Sequence, residues 1–500
     1  MASLISQSEK QSTGIAGLDK VLRGGLPSHR LYVVEGDPGA GKTTLALQFL
    51  LEGVRLGQRV LYITLSETLE ELRDVASSHG WSLDGIELLE LNSLSEQLQE
   101  EATYTVYHPS DVELGETVKR ICAKVEELCP ERVALDSVSE LKILSQTSVR
   151  YRREILGLKQ FFAGRKCTVL VLDDRTNLEG GQQLQSIAHG VLSMEREGRE
   201  YGNTRRQFHV VKMRGLRFMD GRHDFVIHTG GVEIFPRLSA SEGRATVQEG
   251  AVPSGSQELD ALLGDGLDRG SSTLILGPAG CGKTTLCSQV MLTALERGES
   301  VACYMFEESK ETFLRRSAGF GMDFEPHLAS GLFELVQVDI AELSPGEFAS
   351  RVRFMVEQRN ACFIVIDSLN GYLNGMPSER YLLIHMHELL SYLGQKGVVT
   401  ILTIAQHGML GPAMQVPVDV SFLADTVILL RFFEATGQVR QAISVVKKRR
   451  GAHERTLREM RIGATGIKIG EILREFEGVL TGVPRYRGGD EGLLTAKDKP

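Results

Sequence analysis

The stretch EGDPGAGKTT (Glu35–Thr44) and its near-copy LGPAGCGKTT (Leu276–Thr285) decide how this chain is read. Neither suits the interior of a helix or strand, because glycine loses more conformational freedom on folding than any other residue. Each follows an apolar run, LYVVE or STLIL, and opens an amphipathic one, TTLALQFLLEGV or TTLCSQVMLTAL. Both fit G-x-x-x-x-G-K-T, over Gly36–Thr43 and Gly277–Thr284. That strand–turn–helix context is what a phosphate-binding loop demands. Glycines let backbone N–H groups converge on an anion, and the helix N-terminus adds partial positive charge. A chance turn with a surface lysine explains one such stretch, not two at matched positions.

On this reading the loops Gly36, Asp37, Pro38, Gly39, Ala40, Gly41, Lys42, Thr43, Thr44 and Gly277, Pro278, Ala279, Gly280, Cys281, Gly282, Lys283, Thr284, Thr285 bind ATP. Lys42 and Lys283 reach the β- and γ-phosphates, and Thr43 and Thr284 set a hydroxyl on Mg²⁺. Asp136 (RVALD) and Asp367 (FIVID) end apolar strands, which places a metal-side carboxylate at the carboxyl edge of the sheet. Capping the following turn is the plainer role for such residues. Glu67 in the first copy, and Glu307 and Glu308 in the second, are candidates to orient an attacking water. A helix-start acid favoured by the dipole is the alternative. Ser66 stands where the second copy has Glu307.

The repeat runs well beyond the loops. Gly36/Gly277, Lys42/Lys283 and Glu67/Glu308 are each separated by 241 positions, Asp136/Asp367 by 231 and Arg214/Arg450 by 236. Drift of that size is what loop insertions and deletions produce. The expected organisation is residues 1–245, a second copy at 246–483, and a disordered tail at 484–500. Apolar runs (LYVVEG, VLYITL, IELLEL, RVALDS, TVLVLD) alternate with amphipathic ones such as DVELGETVKRICAKVEEL, which predicts an α/β fold with a mainly parallel sheet flanked by helices. RQFHVVKMRG and HDFVIHTGGVEIF read as hairpin strands, an antiparallel extension at the C-terminal end of the copy.

At 500 residues the chain is too long for a single core, and its 42% hydrophobic and 24% charged residues are ordinary globular composition. A net charge of −9 argues against a nucleic-acid or anionic-membrane partner. No apolar run is long enough to span a bilayer, and the N-terminus lacks a signal-peptide core. Seven cysteines without a CxxC pair read as reduced thiols in a cytoplasmic protein. Trp81 reads as packing rather than base stacking.

Taken together, the opening TGIAGLDKVLRGGLP (Thr13–Pro27), both phosphate loops, both strand-end aspartates and the KMRG and KRRG stretches resemble the KaiC family within the RecA-like ATPases. The resemblance covers nearly the whole chain. It implies two tandem RecA-like P-loop NTPase domains in a homohexamer of two stacked rings, with ATP between neighbouring subunits. Lys212 and Arg214, and Lys448 and Arg450, would then reach a neighbour's γ-phosphate, a task suited to arginine's rigid charged fork. A solvated basic run, or a nucleic-acid patch, is the other reading of Lys447–Arg450. Gln406 matches a strand-end γ-phosphate sensor or a surface-loop residue, and Arg175 holds its place in the first copy. The resemblance also implies serine/threonine autokinase activity in the second domain. Ser421 is the candidate acceptor, Glu307 its base, and Phe422 replaces a second acceptor. The expected activity is thus that of an ATPase in signalling or regulation with unidentified protein partners. Two alternatives stand beside it: a RecA/RadA-like DNA-binding recombination ATPase, and a non-catalytic scaffold glued by ATP.

Overall fold

A run that is apolar on both faces has to be covered on both, and LYVVEG, apolar over Leu31–Val34, is buried at all six of its positions. The computed structural model describes residues 9–91, 109–175, 181–198, 204–238, 250–339, 341–374, 376, 379–406, 422–435, 437–464, 466–479 and 485–486. The chain divides into two units, Met1–Arg237 and Leu238–Pro500. The expected boundary at 245/246 falls outside the described residues. Of the expected tail, only Arg485–Tyr486 is described, as a short strand paired with Phe476–Glu477.

In the first unit the strands are β1 (Leu31–Gly36), β2 (Val60–Thr64), β3 (Ile86–Glu90), β4 (Arg132–Asp136), β5 (Thr168–Asp174), β6 (Gly190–Glu197), β7 (Arg205–Met213), β8 (His223–His228) and β9 (Gly231–Phe235). They form one nine-stranded sheet in the order β3-β2-β4-β5-β1-β6-β7-β8-β9. Pairing is parallel from β3 through β6 and antiparallel from β6 to β9. The second unit repeats this with β10 (Ser272–Gly277), β11 (Ser300–Met305), β12 (Phe333–Gln337), β13 (Ala361–Asp367), β14 (Val399–Ala405), β15 (Thr426–Ala435), β16 (Gln438–Lys448), β17 (Arg458–Gly463) and β18 (Gly466–Ile472). Its order, β12-β11-β13-β14-β10-β15-β16-β17-β18, is the same path through the sheet. These are tandem RecA-like α/β domains, each with the antiparallel extension that the sequence predicts.

Alternation along each central strand divides a unit's core into two. Tyr32 and Val34 pack with Leu45, Phe49 and Leu50 on one face, while Leu31 and Val33 pack with Ile155, Leu158 and Phe162 on the other. The first face seats helix α1 (Lys42–Arg55), and in the second unit α2 (Lys283–Glu296) seats in the same way. Trp81 packs against His79, ring centroids 4.8 Å apart, at the edge of the first unit's core. All seven cysteines are unpaired.

One buried charge ties α1 to the sheet. Arg132 is completely buried, and its guanidinium donates to Gln58 Oε1 at 2.6 Å and to the carbonyls of Ser12 and Phe49 at 2.8 Å each. It also lies 4.7 Å from the Phe49 ring centre. Burial pushes its pKa down to about 10, so it remains charged at neutral pH. The ladder puts Phe363 at the matching place in the second unit. Removing Arg132 would strand one side chain and two carbonyls in the dry interior. Arg132→Ala is therefore expected to destabilise the first unit by about 3 kcal/mol. Urea unfolding followed by the fluorescence of Trp81, the only tryptophan, measures this; an unchanged midpoint would contradict the account.

Candidate functional site

Both glycine-rich turns lie at the carboxyl ends of β1 and β10, where ligands bind in open α/β sheets. The last loop residue, Gly41 or Gly282, is the N-cap of its helix with φ 100° in each case. A Cβ there would lie 2.5 Å from the Cδ1 of Ile227 or of Ile462. Only glycine tolerates both that backbone and that approach. Lys42 and Lys283 are each 8% exposed and curl back onto their own loops. Lys42 donates to the carbonyls of Gly36 and Asp37 at 3.0 Å each, and Lys283 to those of Gly277 and Pro278 at 3.0 and 2.8 Å. Behind the apex a tight turn closes each loop, Ala40 N–H onto Asp37 O at 3.1 Å and Cys281 N–H onto Pro278 O at 3.4 Å.

In the first unit, Thr43 Oγ1 donates to Asp136 Oδ2 at 2.8 Å, and Tyr62 OH donates to the same oxygen at 2.6 Å. In the second, Thr403 Oγ1 donates to Asp367 Oδ1. A threonine hydroxyl beside a strand-end carboxylate is a set of hard oxygen donors, and it fits Mg²⁺. Burial raises the Asp136 carboxyl above the usual range despite the Tyr62 and Thr43 hydroxyls that oppose it, and a cation there would favour the ionised form.

The candidate bases differ between the units. Glu67 is positioned by the Thr64 hydroxyl, which accepts from its N–H at 3.0 Å and donates to its carbonyl at 2.7 Å. Its Oε2 is buried without a hydrogen-bond partner among the described residues. Burial first, then the charges of Asp136, Glu71 and Asp174, raise its carboxyl. In the second unit Glu308 is engaged by Arg316 at 2.8 Å, whereas Glu307 accepts from Ser368 Oγ at 2.5 Å, next to Asp367. Val75 stands where Arg316 does, which is why Glu67 has no such partner.

The basic stretches do not correspond as the sequence suggests. The ladder pairs Lys212 with Val191 and Lys447 with Val427. Lys212 Nζ reaches Ala188 O at 3.1 Å, and Lys447 Nζ reaches Ala424 O at 2.8 Å. Arg214 Nη2 reaches Ser186 O at 2.9 Å, and Arg449 Nη2 reaches Phe422 O at 2.6 Å. The equivalents of Lys212 and Arg214 are thus Lys447 and Arg449, one residue before the expected Lys448 and Arg450. The run KKRRG is one residue longer than KMRG, and composition cannot show where the extra residue goes. Lys448 points inward, 2% exposed, onto the carbonyls of Leu263 and Gly266 and the carboxylate of Asp268. Arg450 is exposed and contacts Arg269 O at 3.4 Å.

Gln406 and Arg175 do occupy one position: their backbone N–H groups bond Gly277 O at 3.1 Å and Gly36 O at 3.2 Å. Gln406 accepts from Arg431 at 2.7 Å. Arg175 is drawn to Glu35, Glu195 and Ser193 at 2.9–3.1 Å. Sequence reasoning overlooked Tyr62, Thr403 and Asp174, whose strand-interior or strand-end settings read only as core or turn. Ser421 lies outside the described residues.

The family model described as "ATPase: KaiC" matches residues 11–239 and again 252–474. The chain is 27% identical over 500 residues to the circadian clock protein KaiC3 of Synechocystis sp., covering 97% of this chain and 96% of that one. It is 26% identical to the circadian clock oscillator protein KaiC of Picosynechococcus sp. (97% and 94% covered) and 27% identical to that of Synechococcus elongatus (96% and 93% covered). No helix among the described residues is long and apolar enough to cross a membrane.

A pH signature follows from the wall of the first site. Burial pushes Asp173 up from 3.8 to about 6, although the Ser139 hydroxyl opposes the shift. The folded state therefore holds this proton more tightly than the unfolded chain, and stability from this group falls as pH rises from 3.8 through about 6. Asp173→Asn should stabilise the first unit by about 1 kcal/mol at pH 8 and leave it unchanged below about pH 4. Urea midpoints across that range test this, and a gain independent of pH would contradict it.

Proposed function

The chain belongs to the KaiC family of ATPases, and from that premise we propose that it binds and hydrolyses ATP with Mg²⁺ at two sites per subunit, in a double-ring homohexamer serving regulation through protein partners. The observation that carries this reading is the twinned cradle. Each half has a loop closed by its own buried lysine, a threonine at the helix start and an aspartate at the end of a neighbouring strand. When bound, Mg²⁺ would neutralise charge on the β- and γ-phosphates; Thr43 with Asp136, and Thr284 with Asp367, are the residues to hold it.

The protein's own groups then have distinct tasks. Lys42 and Lys283 hold the phosphate chain, and the loop N–H groups orient it. Glu67 takes a proton from water in the first site; burial and the neighbouring carboxylates raise its carboxyl, which strengthens it as a base. Glu307 has that task in the second site, because Glu308 is engaged by Arg316. Arg214 and Arg449 are the residues to reach a neighbour's nucleotide: both are exposed, Arg214 bonding a carbonyl and Arg449 a carbonyl and the partly exposed Asp425. Lys448 supports its own subunit. A second-ring autokinase would use Glu307 as base toward Ser421, after release of its hydrogen bond from Ser368.

Lys42→Ala combined with Lys283→Ala should lower ATP turnover by about 100-fold or more, while each single variant leaves the other site working. Phosphate release measured with labelled ATP checks this, and undiminished turnover in the double variant would end the proposal. Label retained on the protein would report the kinase. Arg214→Ala with Arg449→Ala should cut turnover by about 1,000-fold while nucleotide binding persists. Arg450→Ala, one residue beyond Arg449, should change it little.

A further inference from the structure

Lys42 and Lys283 have equal burial and equivalent carbonyl acceptors, but their third ammonium protons meet different surroundings. Lys42 Nζ lies 2.7 Å from Asp174 Oδ1. The ladder pairs Gly36 with Asp174 and Gly277 with Ala405, so a methyl group stands at the matching place in the second unit. Among the described residues Lys283 has no ion pair. An ammonium has three protons, so Lys42 is saturated and Lys283 has one to give. Asp174 is 34% exposed, open toward the cleft rather than sealed in the core. The residue that could offset its charge, Arg175, is turned away onto Glu35 and Glu195.

A γ-phosphate entering the first site would meet two costs. It would have to take Lys42 from Asp174, and it would then lie beside that carboxylate, with Asp136 and Glu67 nearby. A diphosphate meets the same lysine with less charge and without the terminal group. Neither cost exists at Ala405. We propose that Asp174 makes the first site select against the γ-phosphate, so that this site favours a nucleoside diphosphate over a triphosphate more strongly than the second site does. This rests on reading the two loops as nucleotide cradles.

The test uses full-length Lys283→Ala protein, which leaves only the first site competent, titrated with fluorescent ADP and a fluorescent non-hydrolysable ATP analogue in the presence of Mg²⁺. Adding Asp174→Ala should tighten analogue binding about tenfold and ADP binding less than about threefold. The analogue-to-ADP ratio should move toward that of the second site, measured in Lys42→Ala protein. Asp174→Asn, nearly the same shape, should shift the ratio in the same direction and guards against a folding defect. An unchanged ratio, or weaker analogue binding in both variants, overturns the inference; the latter would make Asp174 a contributor to binding. If nucleotide binding is lost with Lys42→Ala added but is indifferent to Asp174, the inference alone falls. If neither the Lys283→Ala nor the Lys42→Ala protein binds either nucleotide, the cradle reading falls with it.

Discussion

A lysine ammonium shut away from water has to find acceptors, and in both halves of this chain it finds them in the first two carbonyls of its own loop. That closure shapes the turn before any ligand arrives. The first two carbonyls are drawn to the ammonium, and the helix behind them starts from a glycine with positive φ. The neighbouring strands then have fixed places: one ends in the aspartate, another presents the residue that sits beside the lysine. A loop of other composition could not make this turn without a Cβ entering Ile227 or Ile462.

Around that shared frame the two halves use different chemistry to hold the same carboxylate. Tyr62 and Thr43 share one oxygen of Asp136, whereas Thr403 approaches Asp367 from the other side of the strand pair. The strand-end position carries Arg175 amid glutamates in one half, and Gln406 bonded to Arg431 in the other. The acid after the second strand has its Oε2 unbonded among the described residues as Glu67 and is ion-paired as Glu308. Each difference replaces a group directly beside the nucleotide cradle without altering strand order. Duplication preserved the scaffold, which depends on burial and glycine geometry, while side chains at its rim diverged, because they answer to local charge.

The fold was legible because its signals are periodic and local. Runs such as LYVV and VLYI are apolar on both faces, and amphipathic runs stand between them, so the alternation of strand and helix follows from burial alone. The cradle was legible because a glycine-rich turn ending in Lys-Thr between strand and helix has few other uses. The supporting shell was not. Tyr62 and Thr403 lie in strands where an aromatic or β-branched residue is the ordinary choice, so nothing marks them as partners of an aspartate. Arg132, in the apolar run RVALD, gives no hint that it is buried whole against α1.

What the sequence determined by itself is therefore the duplicated α/β architecture and the backbone of each phosphate loop, since both arise from contacts between residues close in sequence or from a repeating pattern. Only the tertiary structure decided which side chains complete the sites. That Lys447 and Arg449 correspond to Lys212 and Arg214 is set by strand register, and that Asp174 faces Lys42 is set by the pairing of β1 with β5 across more than a hundred residues. Register and side-chain encounter are properties of the assembled sheet, because the hydrogen bonds that define them join segments whose order along the chain carries no record of distance.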